Sequence, residues 1–438
     1  MTIENIYIDG FKNIYELNVN LQKINIFLST NNYGKSNILT GIKFAFDFIK
    51  NVPKVKTNMM SWNPGMPFTI KDFGKSFKFE VNFSSRLSNE SVDVKYGFEF
   101  NWKKNSSELG KIIAEYLKLK KEDSPKFVTY IERNDNTANY RTSLSGRCDK
   151  DILINSNELI VNKIAAFDEL FYLDIVDEIN KLDFFADRHF DPNNLFEIVP
   201  FVEKNIDESS PFNDNSIART LFFLKREHKK RYELIVNTLI EFFPYISAIK
   251  IKEISLSEKN INVQLDENAP FEVADCVYTL NVTNKNLVKT IPFALMSDGV
   301  KRILSLLTYM TLADINKIPV IGVEEPENSI HPGLLKKYID VIDGFVENSR
   351  IIVSSHSPYL TNYINLSNLY IGAPNDDGRA IFKHISKNGI DRINKYSEEM
   401  GIQSGEYLFS VMNGSDEFDI TLLKKYLENG IKCVQGTD

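Results

Sequence analysis

An apolar run, Ile24 to Leu28, stops at Ser29-Thr-Asn-Asn-Tyr-Gly34-Lys35-Ser36. Apolar residues then resume at helical spacing: Ile38, Leu39, Ile42, Ala45, Phe46 and Ile49. The order is buried strand, tight polar loop, helix, and it points to an α/β architecture. The loop fits the template G-x-x-x-x-G-K-[ST] at Gly34, Lys35 and Ser36, with Ser29 where the first Gly would stand. In such a loop, backbone N–H groups and the helix dipole receive a phosphate. Lys35 would reach the outer phosphates and the Ser36 hydroxyl would ligate Mg2+. A chance Gly-Lys-Ser after a buried strand is the competing reading, and Ser29 is what supports it.

The chain has 438 residues, room for about three domains or for one large α/β body with an insertion. Hydrophobic residues at 43% and charged residues at 25% exclude a largely disordered chain. With 52 basic and 59 acidic residues the net charge is −7, which excludes a uniformly basic nucleic-acid binder but allows a local patch. Cys148, Cys276 and Cys433 are far apart and make no Cys-x-x-Cys, so neither a disulfide framework nor a zinc site of that type is expected. No signal-peptide core and no apolar run of membrane-spanning length is present. A cytoplasmic protein with no membrane partner is the expectation.

Further along, residues 51–76 read as a loop, and Phe77 to about Ser143 alternates with period two, as in FKFEVNF and VDVKYGFEFNW. Residues 150–245 read mostly as helix, with Ile217 to Phe243 as the longest candidate. Within it lies KREHKKR, Lys225 to Arg231, either a solvated face or a patch for an acidic partner. Strands are expected at 246–255, 260–266 and 275–283. A helix is expected from Asp298 to Asn316, a strand from Val320 to Glu324, a helix near 333–347, and a strand from Arg350 to Val353. The resulting division is 1–145 with the phosphate loop and an antiparallel lobe, a mainly helical insertion at 146–245, a second core part at 246–395, and a helical tail at 396–438.

Three more motifs bear on chemistry. Val320-Ile-Gly-Val-Glu324-Glu325-Pro-Glu-Asn-Ser-Ile-His-Pro is an apolar strand ending in two carboxylates. One could hold a metal and the next polarise an attacking water; a solvated acidic turn is the alternative. Leu-Met-Ser297-Asp-Gly299-Val opens a helix, and offers an anion a hydroxyl and N–H groups, or is an ordinary N-cap. Ile-Ile-Val-Ser-Ser-His356-Ser-Pro ends a strand in hydroxyls and one His, structural or turned toward a phosphate.

Taken in this order, the four motifs resemble the ABC-type ATPases of the SMC, RecF and OLD (overcoming lysogenization defect) group, with EEPENSIHP and SSHSP close to that group's wording. The resemblance covers about 1–50 and 290–370. It implies an ABC-type P-loop head with a β-rich lobe and a helical insertion, using ATP and Mg2+. It implies phosphate-loop contacts at Asn32, Gly34, Lys35, Ser36 and Asn37, with Lys12 of Phe11-Lys12-Asn13 near the nucleotide. Ser36 and Glu324 would hold the metal, Glu325 would be the general base, and His356 would sense the γ-phosphate. Ser297 and Gly299 would be signature residues that cap ATP bound by another chain, which implies at least a head-to-head homodimer. Phe184-Phe-Ala-Asp187-Arg188-His189 resembles the start of the second lobe, with Arg188 near nucleotide or partner, or a plain surface Arg.

Departures from that pattern are equally plain. Ser29 would crowd the loop if its position needs φ > 0. Glu324 stands for the usual Asp, and no Gln fits the Q-loop place. The residues after His356 are too few for the metal-binding nuclease domain of OLD proteins, and no heptads run long enough for an SMC coiled coil. A stand-alone ATPase is therefore expected, resembling Septu-, PARIS- or retron-associated antiphage types. It would be a sensor or switch that controls a separately encoded effector, a nuclease or toxin. A RecF-like ATP-dependent DNA-binding repair protein and a nucleotide-binding scaffold with little turnover are the alternatives.

Overall fold

The computed structural model describes residues 1–29, 33–61, 69, 74–103, 110–134, 137–167, 169–187, 195–196, 198, 200–203, 216–256, 271–347, 349–372, 377–413 and 417–427. The strand expected at 260–266, Asn32, Arg188 and Cys433 lie outside these residues. The chain divides into two compact units, one of 1–187, 318–326 and 348–438 and the other of 188–317 and 327–347.

Among the described residues, the first unit holds two sheets, and the helix Lys35–Lys50 packs between them. A six-stranded sheet runs Phe184–Asp187, Val320–Glu324, Arg350–Ser355, Ile24–Leu28, Leu369–Gly372, Phe382–His384. Its first five strands are parallel and the last is antiparallel. Apolar residues dominate these short strands, as expected where both faces are covered, and the buried Asn25 donates to the carbonyls of Gln22 and Ile351. An eight-stranded antiparallel sheet runs Leu17–Asn20, Thr2–Asp9, Ser76–Leu87, Glu90–Asn101, Lys111–Lys121, Val128–Asn134, Thr137–Tyr140, Lys150–Asp151. Ser88 and Asn89 both take positive φ (52° and 70°), the two-residue turn whose twist suits a hairpin. The α/β class and the strands within Phe77 to about Ser143 both follow the sequence expectation.

The helix Lys35–Lys50 is buried along most of its length. Phe48 stacks on Phe98 and Phe100 of the antiparallel sheet at 5.0 and 4.9 Å, and Phe46 meets Phe79 at 5.8 Å. On its other side Phe46 meets Phe184 of the parallel sheet at 6.5 Å. A chain with 31 Phe uses many of them here, each burial stabilising by about 1.5–3 kcal/mol. This packing fixes the helix start, which carries the phosphate loop.

Two expectations fail locally. Residues 51–76 are not all loop: Pro53–Met59 is a helix, with Pro at its first turn where the missing N–H costs nothing. Lys56 on this helix is fully buried and donates to the carbonyls of Ile49 and Asn51 and to Asn162 Oδ1, so it caps the end of the Lys35–Lys50 helix. In the second unit, Ile217 to Phe243 is two helices, Ile217–Glu227 and Lys229–Phe242, broken at His228. A continuous helix would stack Arg226 over Lys229 and Lys230, and such like-charge pairs are unfavourable. The basic run is largely paired: Arg226 with Glu227, Lys229 with Glu233 and Arg231 with Asp314. The second unit also holds the sheet Ile246–Ser255, Cys276–Asn284, Ile291–Pro292 and the helices Asp298–Ile315 and Pro332–Phe345. No helix among the described residues is long and apolar enough to cross a membrane.

Burial lowers the Lys56 pKa from 10.5 to about 8. Below pH 8 the ammonium is charged in the folded and unfolded states, and the fold carries its desolvation. That penalty fades as pH rises toward 10.5. Wild-type protein should therefore gain stability relative to K56M between these two pH values, as read by urea unfolding.

Candidate functional site

Three adjacent parallel strands end at one level. Leu28 lies opposite Ser355, and Ser354 lies opposite Glu324. The residues that follow, Ser29, Glu325 and His356, therefore emerge together at the carboxyl end of the sheet, where open α/β sheets bind ligands.

The phosphate-loop helix starts at Gly34, with φ 111°. A Cβ there would come within 2.7 Å of Asn13 Oδ1 and 2.9 Å of the Ala380 Cβ, so only Gly fits. Asn13 is the hub beneath the loop. Its amide donates to the Tyr33 carbonyl at 3.2 Å, its Oδ1 accepts from Asn37 Nδ2 at 2.8 Å, and its carbonyl accepts the Ala380 N–H at 2.7 Å. Lys12, itself at φ 53°, donates to Asn37 Oδ1 at 3.2 Å. Both ends of the Asn37 amide are thus used in fastening the helix to the Phe11–Ile14 turn. Tyr33 turns its hydroxyl to the Ile381 N–H at 3.3 Å, and its ring meets Phe382 edge-on at 5.6 Å.

Ser29 is absent from the residues with positive φ, so it replaces Gly without backbone strain. It is buried, and Lys35 Nζ donates to its carbonyl at 2.9 Å and its hydroxyl at 3.2 Å. Lys35 Nζ also lies 3.1 Å from His356 Nδ1. An ammonium only donates, so Nδ1 accepts and the ring proton sits on Nε2. Nε2 is 3.2 Å from Glu325 Oε1, to which it donates. Glu325 takes φ 45°, a costly conformation for a non-Gly residue, and its N–H is held by the Ser354 carbonyl at 2.8 Å. Burial and the Lys35 charge lower the His356 pKa, against opposing pulls from Glu325, the Ser29 carbonyl and Glu324. The imidazole is therefore neutral at pH 7 and links a cation to a carboxylate.

Beside this chain, the Ser36 hydroxyl donates to a Glu324 carboxylate oxygen. One hydroxyl and one carboxylate are hard oxygen donors suited to Mg2+, which keeps most of its shell as water and substrate oxygens. No cluster of three or more acidic, His or Cys ligands exists among the described residues, so an all-protein metal cage is not available there.

Lys12, Gly34, Lys35, Ser36, Asn37, Glu324, Glu325 and His356 thus all belong to the first unit. Ser297 and Gly299 belong to the second. Ser297 is the N-cap of the Asp298–Ile315 helix, and its carbonyl accepts from Val300 and Lys301. A Cβ on Gly299 would meet the Ser329 carbonyl oxygen at 2.6 Å, so the helix start needs Gly to approach that turn. Sequence reasoning missed Tyr33 and Ala380. For Asn13 it had only the Phe11-Lys12-Asn13 turn.

His356 resists protonation in the folded state, so its contribution to stability is lost as pH falls through its lowered pKa. Relative to H356Q, the wild type should lose stability as pH falls below 6.5, measured by urea unfolding at each pH.

Residues 30–362 match the family model described as "AAA domain, putative AbiEii toxin, Type IV TA system". No curated protein matches the chain in sequence. Among solved structures, an SMC head bound to the C-terminal winged-helix domain of ScpA is 12% identical, with a TM-score of 0.46 over 89% of this chain and 99% of that one. The SMC head domain from Thermotoga maritima is 11% identical, with a TM-score of 0.42 over 88% and 100%. An SMC head with an extended coiled coil, bound to the C-terminal domain of ScpA derived from Pyrococcus furiosus, is 12% identical, with a TM-score of 0.44 over 91% and 99%. The family match spans well over half of the chain, and the chain belongs to this family of AAA domains.

Proposed function

We propose that the protein binds and hydrolyses ATP with Mg2+, and that the nucleotide state switches its hold on a separately encoded effector. The observation that carries the ATPase reading is the Lys35–His356–Glu325 chain beside the Ser36–Glu324 contact. Lys35 supplies positive charge to the outer phosphates. Glu325 accepts the proton of the attacking water, and His356 holds that carboxylate in place through Nε2. Ser36 and Glu324 would hold the metal ion. Mg2+, when bound, neutralises charge on the phosphoryl oxygens.

In this reading ATP closes a head-to-head dimer, with Ser297 and Gly299 of a second chain completing each site. The family description names a toxin–antitoxin system, which favours a defence setting; in this reading the effector is a nuclease or toxin. A DNA clamp is the weaker reading, because the basic run at Lys225–Arg231 is largely ion-paired.

E325Q should release phosphate from ATP at least about a hundredfold more slowly than wild type while still binding ATP. Hydrolysis at the wild-type rate would remove Glu325 as the base. A pull-down of E325Q with ATP and Mg2+, followed by mass spectrometry, should recover an effector that ADP does not retain. A partner-free dimer that holds DNA, with steep salt dependence, would shift the assignment to the clamp.

A further inference from the structure

The Lys35 ammonium has three N–H donors and no more. The Ser29 carbonyl, the Ser29 hydroxyl and His356 Nδ1 lie 2.9, 3.2 and 3.1 Å from it. The protein alone can thus satisfy the charge that the proposed function assigns to the phosphates. Lys35 is buried, so these bonds face little competition from water. A phosphate oxygen that binds Lys35 has to take the place of one of them.

The three acceptors are not equal. The carbonyl belongs to the backbone, and no substitution at Ser29 removes it. His356 Nδ1 belongs to a ring already tied to Glu325 through Nε2. The Ser29 hydroxyl is different: it exists only because a side chain stands at this position. Its φ is not left-handed, so the loop backbone makes no demand for Gly here. The hydroxyl lies within bonding distance of the ammonium, at 3.2 Å.

We infer that the Ser29 hydroxyl is an internal competitor of the nucleotide phosphates for Lys35, and that it sets the ATP concentration at which the site fills. It is an affinity-setting position that acts through Lys35. A built-in competitor weakens by one common factor the binding of every ligand that needs Lys35. The site would then fill at a higher ATP concentration than the same loop without the hydroxyl. This inference rests on the ATP reading of the site, and the experiment separates the two.

The test is calorimetric titration of the full chain with adenosine 5′-(β,γ-imido)triphosphate and Mg2+, for wild type, S29A, S29G, S29T and K35A. Losing one net hydrogen bond to a competitor should tighten the Kd of S29A about three- to tenfold. S29G should tighten likewise, which covers the case in which S29A fails to fold. S29T keeps the hydroxyl and should bind as wild type does. In steady-state hydrolysis the gain should appear as a lower KM, not as a higher kcat. A merely structural Ser29 would give weaker binding and a lower Tm. Equal or weaker binding by folded S29A and S29G, with wild type binding and K35A not, overturns the inference and leaves the ATP reading intact. Equal binding by wild type and K35A overturns both.

Discussion

Parallel pairing of the strands Ile24–Leu28, Arg350–Ser355 and Val320–Glu324 is the constraint on which the site depends. The strand Ile24–Leu28 is about three hundred positions from the other two in the chain. Hydrogen-bonded register brings their ends to one level, and a slip of one residue would turn each end to the other face. Lys35, Glu325 and His356 meet because three short apolar runs are buried side by side. The aromatic packing of the Lys35–Lys50 helix then fixes where the loop must begin.

Much of this was legible in the sequence, for physical reasons. Buried parallel strands are short and continuously apolar, and antiparallel strands alternate. Both patterns are local, so Val320–Glu324 and Ser76–Leu87 could be read directly. The start of the Lys35–Lys50 helix was legible because Gly, Lys and Ser stand at a strand-to-helix junction. The pairing of Lys35 with Ser36 on one side and His356 with two Glu residues on the other was suggested by motif order and family resemblance.

What was not legible depended on tertiary contact. The break at His228 has no Pro or Gly to announce it. The short helix Pro53–Met59 is held through Lys56, whose acceptors lie on other elements. Ser29 was read as a steric problem, but the backbone there is not left-handed, and its consequence is electrostatic. Asn13 was visible only as part of the Phe11-Lys12-Asn13 turn and Ala380 has no polar side chain, so their fit against Gly34 shows only once the chain has folded.

That last contact bears on how the chain acquires its site. Gly34 is wedged between Asn13 near the amino terminus and Ala380 near the carboxyl terminus, and the Ala380 N–H closes on Asn13. Contacts of such long sequence separation form late, because loop closure must come first. During synthesis Gly34 emerges long before Ala380, so one wall of its seat is made late. A chain not yet synthesised as far as Ala380 lacks that wall and the backbone hydrogen bond to Asn13 that fixes it.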